Sequence, residues 1–217
     1  MYKKNILLIF LIMFFQQSLS AEKINVFDFN ESEFTYLKVK KVRGAKNKTI
    51  YSVGKNENGN FIRSEANNAA SGLGKEIKIN LSKTPFLNIT WKVEKDLSGI
   101  NENSKKGHDY AARVFVIKKT GVTPLSNRAM NYVYSSNNAI NSNQPSPYTK
   151  KSIDYVLSTT KESLNKWVTV KVNVKEHFKK FHGLEVDDIE GVAIMTDTDN
   201  SKKLAIAYYQ NIYFSSE

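Results

Sequence analysis

Two groups of side chains carry the chemistry available to this chain. In "GVAIMTDTDN" (residues 191–200), Asp197, Asp199 and Asn200 follow small and apolar residues, where a strand should turn. Closely spaced Asp and Asn oxygens suit calcium, which takes roughly six to eight oxygen ligands. The D-x-D-x-D-G of an EF-hand is missing, however, as is the glutamate at its twelfth position. The same residues equally make an Asx turn, their side chains bonding nearby amides, or the rim of a carbohydrate site.

The second group is Arg63 and Glu65 in "NFIRSEANN" with Asp109 and Arg113 in "DYAARVFVIKK". Strand alternation places each pair on one face of its own strand. If the two faces meet on a concave sheet, the guanidinium forks can hold sugar hydroxyls or carboxylates. Alternatively the four charges satisfy one another in a closed ion network. Glu65 and Asp109, or Asp197 and Asp199, are also the carboxylate pairs an enzyme acting on polysaccharide or peptidoglycan would use, at a defined separation across the sugar. Asn131 adds an amide to this set, with Tyr132 or Tyr209 nearby.

Aromatic rings that could stack on a pyranose include Trp91, Trp167, Tyr132, Tyr134, Tyr208 and Tyr209. Trp91 shares a strand face with Ile89 and Val93 and reads as core. Trp167 lies opposite the valine row of "WVTVKVNV" and is the surface candidate. His177 and His182 stand five apart, off the i, i+4 spacing of a helical zinc pair, and no H-E-x-x-H, G-x-S-x-G or phosphate loop occurs. With no cysteine in the chain, thiolate metal sites, disulfides and cysteine nucleophiles are excluded. Metal-independent, cofactor-free binding is the expectation, with calcium at Asp197, Asp199 and Asn200 as the alternative.

The elements that must position these residues are strands. About a dozen short β-branched and aromatic runs, separated by Gly, Asn, Ser and Pro, predict an all-β, antiparallel two-sheet sandwich of jelly-roll or galactose-binding-like type. Predicted strands include Lys23–Phe29, Thr35–Lys40, Asn60–Asn67, Glu76–Leu81, Tyr110–Lys118, Arg128–Ser135, Ser152–Ser158, Gly191–Asp197 and Leu204–Phe214. One short helix is expected over Val174–Phe181. The Asn/Ser-rich stretches 96–108 and 136–147 read as surface loops.

The first 20 residues have the parts of a secretory signal: Lys3 and Lys4, an apolar run from Ile6 to Phe15, and Ser18-Leu19-Ser20. This predicts an exported protein, periplasmic or secreted, whose residues 21–217 form one domain with no membrane span. The net charge of +11 comes from scattered lysines rather than a basic run, so no nucleic-acid partner is expected. A cell-envelope glycan or other polar ligand is the expected partner.

Seven stretches, "FIRSEANNAASGLGKEI", "LNITWKV", "DYAARVFVI", "RAMNYVYSSN", "SPY", "EGVAIMTDTDN" and "AYYQNIYF", occur in an order that resembles the bacterial exported proteins grouped as domain of unknown function 3047. The resemblance runs from about Asn25 to Phe214. It implies a jelly-roll sandwich of the kind used in carbohydrate-binding modules and implies no activity. Members of that family often have tryptophan where this chain has Tyr134.

Overall fold

The computed structural model describes residues 21–217, so the predicted signal segment lies outside it. Two sheets face each other. The six-stranded sheet runs β11 (Val168–Asn173), β6 (Phe86–Lys95), β13 (Leu204–Ser215), β4 (Gly59–Asn67) and β3 (Ile50–Asn56), with β1 (Lys23–Asn25) also paired to β13. The seven-stranded sheet runs β2 (Lys38–Lys41), β5 (Ala70–Asn80), β12 (Asp188–Asp197), β7 (Ala112–Lys118), β8 (Arg128–Ser135), β10 (Thr149–Thr159) and β9 (Asn143–Ser146). The expected all-β jelly-roll sandwich is the observed fold.

Alternation explains the core. In β4, Ile62, Ser64 and Ala66 are fully buried while Phe61, Arg63 and Glu65 remain partly exposed. In β7, Val114 and Val116 face inward against Trp91, Ile89 and Val93 of β6, all without solvent exposure. Burial of side chains this large stabilises by about 1.5–3 kcal/mol each, and no disulfide is needed. Trp91 also donates from its indole Nε1 to Ser158 Oγ at 3.0 Å, linking the two sheets.

Five details differ from expectation. The predicted strand Lys23–Phe29 is paired only to Asn25. Thr35 and Tyr36 belong to a helix, α1 (Glu31–Tyr36), rather than to the strand that begins at Lys38. The cause is local: Asn30 Oδ1 accepts from Glu33 N at 2.8 Å, and the Glu33 carboxylate reaches back to the amides of Asp28 and Phe29. This resembles a capping box, with the reach-back landing on the two residues before the Asn30 cap, and it outweighs β propensity over one turn. A second turn of helix, α2 (Thr160–Ser163), was also not expected. Finally, the 136–147 connection contains β9, a polar edge strand. Pro145 is tolerated there because an edge position leaves one side of the ladder open. With β9 antiparallel to β10 on its outer side, β10 runs parallel to β8, against the all-antiparallel expectation.

The expected helix is present as α3 (Val174–His182). Asn173 caps it by accepting from Glu176 N at 3.1 Å, and Gly183 ends it in the left-handed conformation at φ 66°. Its Val174 and Phe178 close one end of the core. No helix among the described residues is long and apolar enough to cross a membrane.

Candidate functional site

Register places a row of polar side chains on the outer face of the seven-stranded sheet. Phe115 of β7 pairs with Asn131 of β8, and Asn131 with Asp154 of β10. One rung on, Met195 of β12 pairs with Arg113 and Arg113 with Val133. These strands are covered at this end by the 96–111 connection, so Arg113, Asn131, Asp154 and Asp197 are all buried.

Within this closed cluster every charge has a partner. Arg113 donates to both oxygens of Asp197, from Nε at 2.8 Å and from Nη2 at 2.6 Å, and again from Nη2 to His108 O at 2.7 Å. Its guanidinium lies 4.6 Å from the Tyr110 ring centre. Asp197 Oδ1 also accepts the Tyr110 amide at 3.1 Å. Burial raises the Asp197 carboxyl to about 8, and the charges of Asp109 and Asp199 push the same way, while Arg113 and the Tyr110 amide pull it down. His108 Nε2 lies 2.6 Å from Asp154 Oδ2, whose other oxygen accepts from Asn131 Nδ2 at 2.6 Å. Burial lowers the His108 imidazole from its ordinary value, with Asp154 opposing that shift.

The 199–201 turn is fastened to the same cluster. Asp109 accepts from Asn200 N at 3.2 Å, Asn200 Nδ2 at 2.9 Å and Ser201 N at 2.5 Å. Asn200 Oδ1 accepts from the Tyr148 hydroxyl at 2.6 Å. The covering connection is held from its other side by Glu102, which is 1 % exposed. Its carboxylate accepts from Ser136 N at 2.8 Å, from the amides of Asn137 and Asn138 at 3.0 Å each, and from Ser135 Oγ. Gly107 lets this connection turn tightly, since a Cβ there would stand 2.6 Å from Asn101 O.

Asp109, Asp197 and Asp199 each bring a carboxylate oxygen within 4.8 Å of the others. A calcium ion does not fit this donor set as it stands. Both Asp197 oxygens are taken by Arg113, both Asp109 oxygens by the turn amides, and Asn200 Oδ1 by Tyr148. Burial and the charge of Asp109 raise the Asp199 carboxyl above its ordinary value. Asp199→Asn removes one of three crowded like charges, so Tm is expected to rise by about 1–2 °C, equivalent to about 0.5 kcal/mol. A fall in Tm on this substitution, with a matching fall on adding EDTA, would instead reveal a bound cation.

The predicted residues therefore separate into three places. Asp109, Arg113, Asn131, Asp197, Asp199 and Asn200 gather at one end of the seven-stranded sheet. Arg63 and Glu65 pair with each other at 2.8 Å on the outer face of the opposite sheet, so the two charged faces do not meet and Glu65 and Asp109 do not flank a common space. Tyr132 and Tyr209 are fully buried and face the core. The Tyr209 hydroxyl donates to Met195 O at 2.6 Å. Glu102, His108 and Asp154 were not among the predicted site residues. A lone acid inside the strand run "SIDYVL" was the one available signal for Asp154.

Beside the closed cluster the same sheet face opens into a groove of about 510 Å³. Its floor is Gly72 and Gly74 of β5 with Gly191 and Ala193 of β12, and its walls include Lys40, Lys75, Glu76, Lys119, Glu190 and the 121–124 segment. Gly72, Gly74 and Gly191 lie in strands without the positive φ that would demand glycine, and a Cβ at Gly72 or Gly191 would meet nothing closer than 3.7 Å. Glycine within a strand weakens it by roughly 0.5–1 kcal/mol, and commonly marks a bulge or a close approach.

A family model described as a protein of unknown function (DUF3047) matches residues 36–213. The chain belongs to that family. A search of curated proteins finds no match. Among solved structures, the DUF3047 chain is similar to the family 30 carbohydrate-binding module of the cellulosomal cellulase Cel9D-Cel44B of Clostridium thermocellum, at 8 % identity and a TM-score of 0.47, covering 83 % of this chain and 91 % of that one. It is also similar to the xyloglucanase domain of NopAA from Sinorhizobium fredii, solved with cellobiose, at 13 % identity and a TM-score of 0.47, covering 82 % and 92 %. A third is a cellulase derived from Cel12A of Rhodothermus marinus, at 14 % identity and a TM-score of 0.46, covering 82 % and 90 %.

Proposed function

We propose that this DUF3047 protein is a non-catalytic binding protein, exported by its N-terminal segment, that holds a glycan or similar hydroxyl-rich ligand in the groove on its seven-stranded sheet. The observation that carries the reading is the glycine floor. Two strand positions, Gly72 and Gly191, forgo a side chain that both backbone and space would accept, and they border a solvent-open groove. Concave sites with a few convergent polar groups are where ligands bind. Here Lys40, Lys75, Glu76, Lys119 and Glu190 supply donors and acceptors around a flat floor.

The closed cluster plays a supporting part in this reading. It fixes the 96–111 connection at the Ala112 end of β7, the strand whose other end, at Ile117, lines the groove. Its own charges are satisfied internally, which argues for a fastening role.

Gly72→Val tests the proposal, because its two effects should have opposite signs. A β-branched residue suits a strand better than glycine, so Tm should hold or rise. The side chain fills the groove, so the thermal shift that cell-envelope polysaccharides produce with the wild-type protein should be lost. Absence of any shift in the wild type, or binding by Gly72→Val equal to wild type, sinks the proposal.

A further inference from the structure

The outer face of the six-stranded sheet carries an arrangement that the groove does not involve. Because Ile62 and Ser64 of β4 point inward, Phe61, Arg63 and Glu65 point out, and the same alternation turns Tyr208 of β13 and Lys92 and Glu94 of β6 outward. Register sets Arg63, Tyr208 and Lys92 on one rung. Trp167 stands one residue before Val168, the partner of Trp91, and so continues that rung.

The three rings converge. Phe61 and Tyr208 have centroids 5.6 Å apart, and Trp167 lies 6.0 Å from each, with interplanar angles of 57° to 68°. All three are partly exposed. Gly54 of β3 makes room for Phe61, since a Cβ there would come within 2.4 Å of its ring. Polar groups surround the rings. Arg63 pairs with Glu65 at 2.8 Å, the Tyr208 hydroxyl donates to Glu94 at 2.6 Å, and Lys92 Nζ sits 4.1 Å from the Tyr208 ring centre.

We infer that this face is a second binding platform, for a neutral glycan. A saccharide is apolar on the faces of its rings and polar around their rims. The platform matches both, with a cluster of partly exposed aromatic rings for stacking and donors and acceptors beside it. The charges decide the ligand class. Arg63 and Lys92 are balanced by Glu65 and Glu94 on a chain whose overall charge is +11. A polyanion would meet two carboxylates here, and a polycation two basic groups. An uncharged ligand meets neither penalty, and each charged group remains able to hydrogen-bond a hydroxyl.

Affinity electrophoresis in gels containing laminarin, hydroxyethylcellulose, galactomannan or alginate tests this. At least one of the three neutral polymers should retard the wild-type protein. Trp167→Ala and Phe61→Ala should weaken that retardation at least tenfold, while Tyr36→Ala, an exposed aromatic outside both sites, leaves it unchanged. Since neither Trp167 nor Phe61 lines the groove, that loss separates this platform from it. No retardation by any neutral polymer, retardation by the polyanion alginate alone, or full retention in Trp167→Ala would overturn it. Should Trp167→Ala fail to fold, the wild-type protein gives a second readout. Of its two tryptophans only Trp167 has exposed surface, Trp91 being buried. The retarding polymer must therefore shield the fluorescence from acrylamide quenching, and unchanged quenching refutes the inference.

Discussion

Above about pH 8, Arg113→Met is expected to destabilise the protein by about 3–5 kcal/mol, because it strands the ionised Asp197 carboxylate in a buried site. In a chain of this size that lowers Tm on the order of 10 °C. The two oxygens of Asp197 lose their two hydrogen bonds from the guanidinium, at 2.8 and 2.6 Å, and His108 O loses its donor as well. The deficit should depend on pH in a definite direction. Asp197 is held with a raised carboxyl in the folded protein, near 8 against an ordinary 3.8. Such a group contributes its full stability below the unfolded value and loses it as pH rises through the folded one. Removing Arg113 raises the folded value further. The variant's deficit should therefore be smallest below about pH 7, where Asp197 is protonated in both folded proteins, and should widen as pH rises through 8, where only the wild type can ionise Asp197 against Arg113. Urea unfolding at several pH values measures this, and a deficit independent of pH would show that Asp197 is not the group left unpaired.

The second large effect is expected at Glu102. Glu102→Ala removes the acceptor for four donors at once, from Ser135, Ser136, Asn137 and Asn138. A buried donor left unsatisfied costs about 1–3 kcal/mol. Water can enter once the side chain is gone, so the net loss should be about 3 kcal/mol rather than the sum. The location of the damage is the sharper test. Glu102 anchors the connection that covers Arg113, Asn131 and Asp154, and Lys105 and Lys106 lie within that connection. Local opening should make trypsin cut there first, before the core strands yield. Glu102→Gln, which keeps one acceptor oxygen but turns a donor toward donors, should fall between. Equal trypsin resistance in Glu102→Ala and wild type would mean that the connection is held by something else.

These expectations show which parts of the molecule were readable from the chain and which were not. The strands around Trp91, Val114, Val116 and Ile194 were legible because β-branched and aromatic residues alternate there with a period of two, and burial follows directly from that alternation. The same reasoning put Trp91 in the core and Trp167 at a surface. It failed at β9, whose residues Asn143 to Ser146 have no apolar alternation to read and owe their strand to the neighbouring β10. At α1 the signal was present, an Asn followed three residues later by Glu, but it was masked by the β-prone Thr35 and Tyr36.

Taken alone, the amino-acid sequence determined the fold class and the absence of any thiol chemistry, and it singled out Asp109, Arg113, Asn131, Asp197, Asp199 and Asn200, which the fold brings together, but not Glu102, His108 or Asp154. Periodicity and composition are local properties, and a core built on them needs no further information. Which polar residues meet was decided only in three dimensions. Arg113 and Asp197 are 84 positions apart and lie on adjacent strands, whereas Arg63 and Asp109 fall on different sheets. Strand order and register set those distances, and the chain encodes them only through the sum of all its pairings. The acidic turn "TDTDN" shows the difference. Its composition allowed a calcium ion, a ligand rim or a polar hairpin tip, and the tertiary structure spends its oxygens on Arg113 and Tyr148, because a buried acid must find its partner inside the fold.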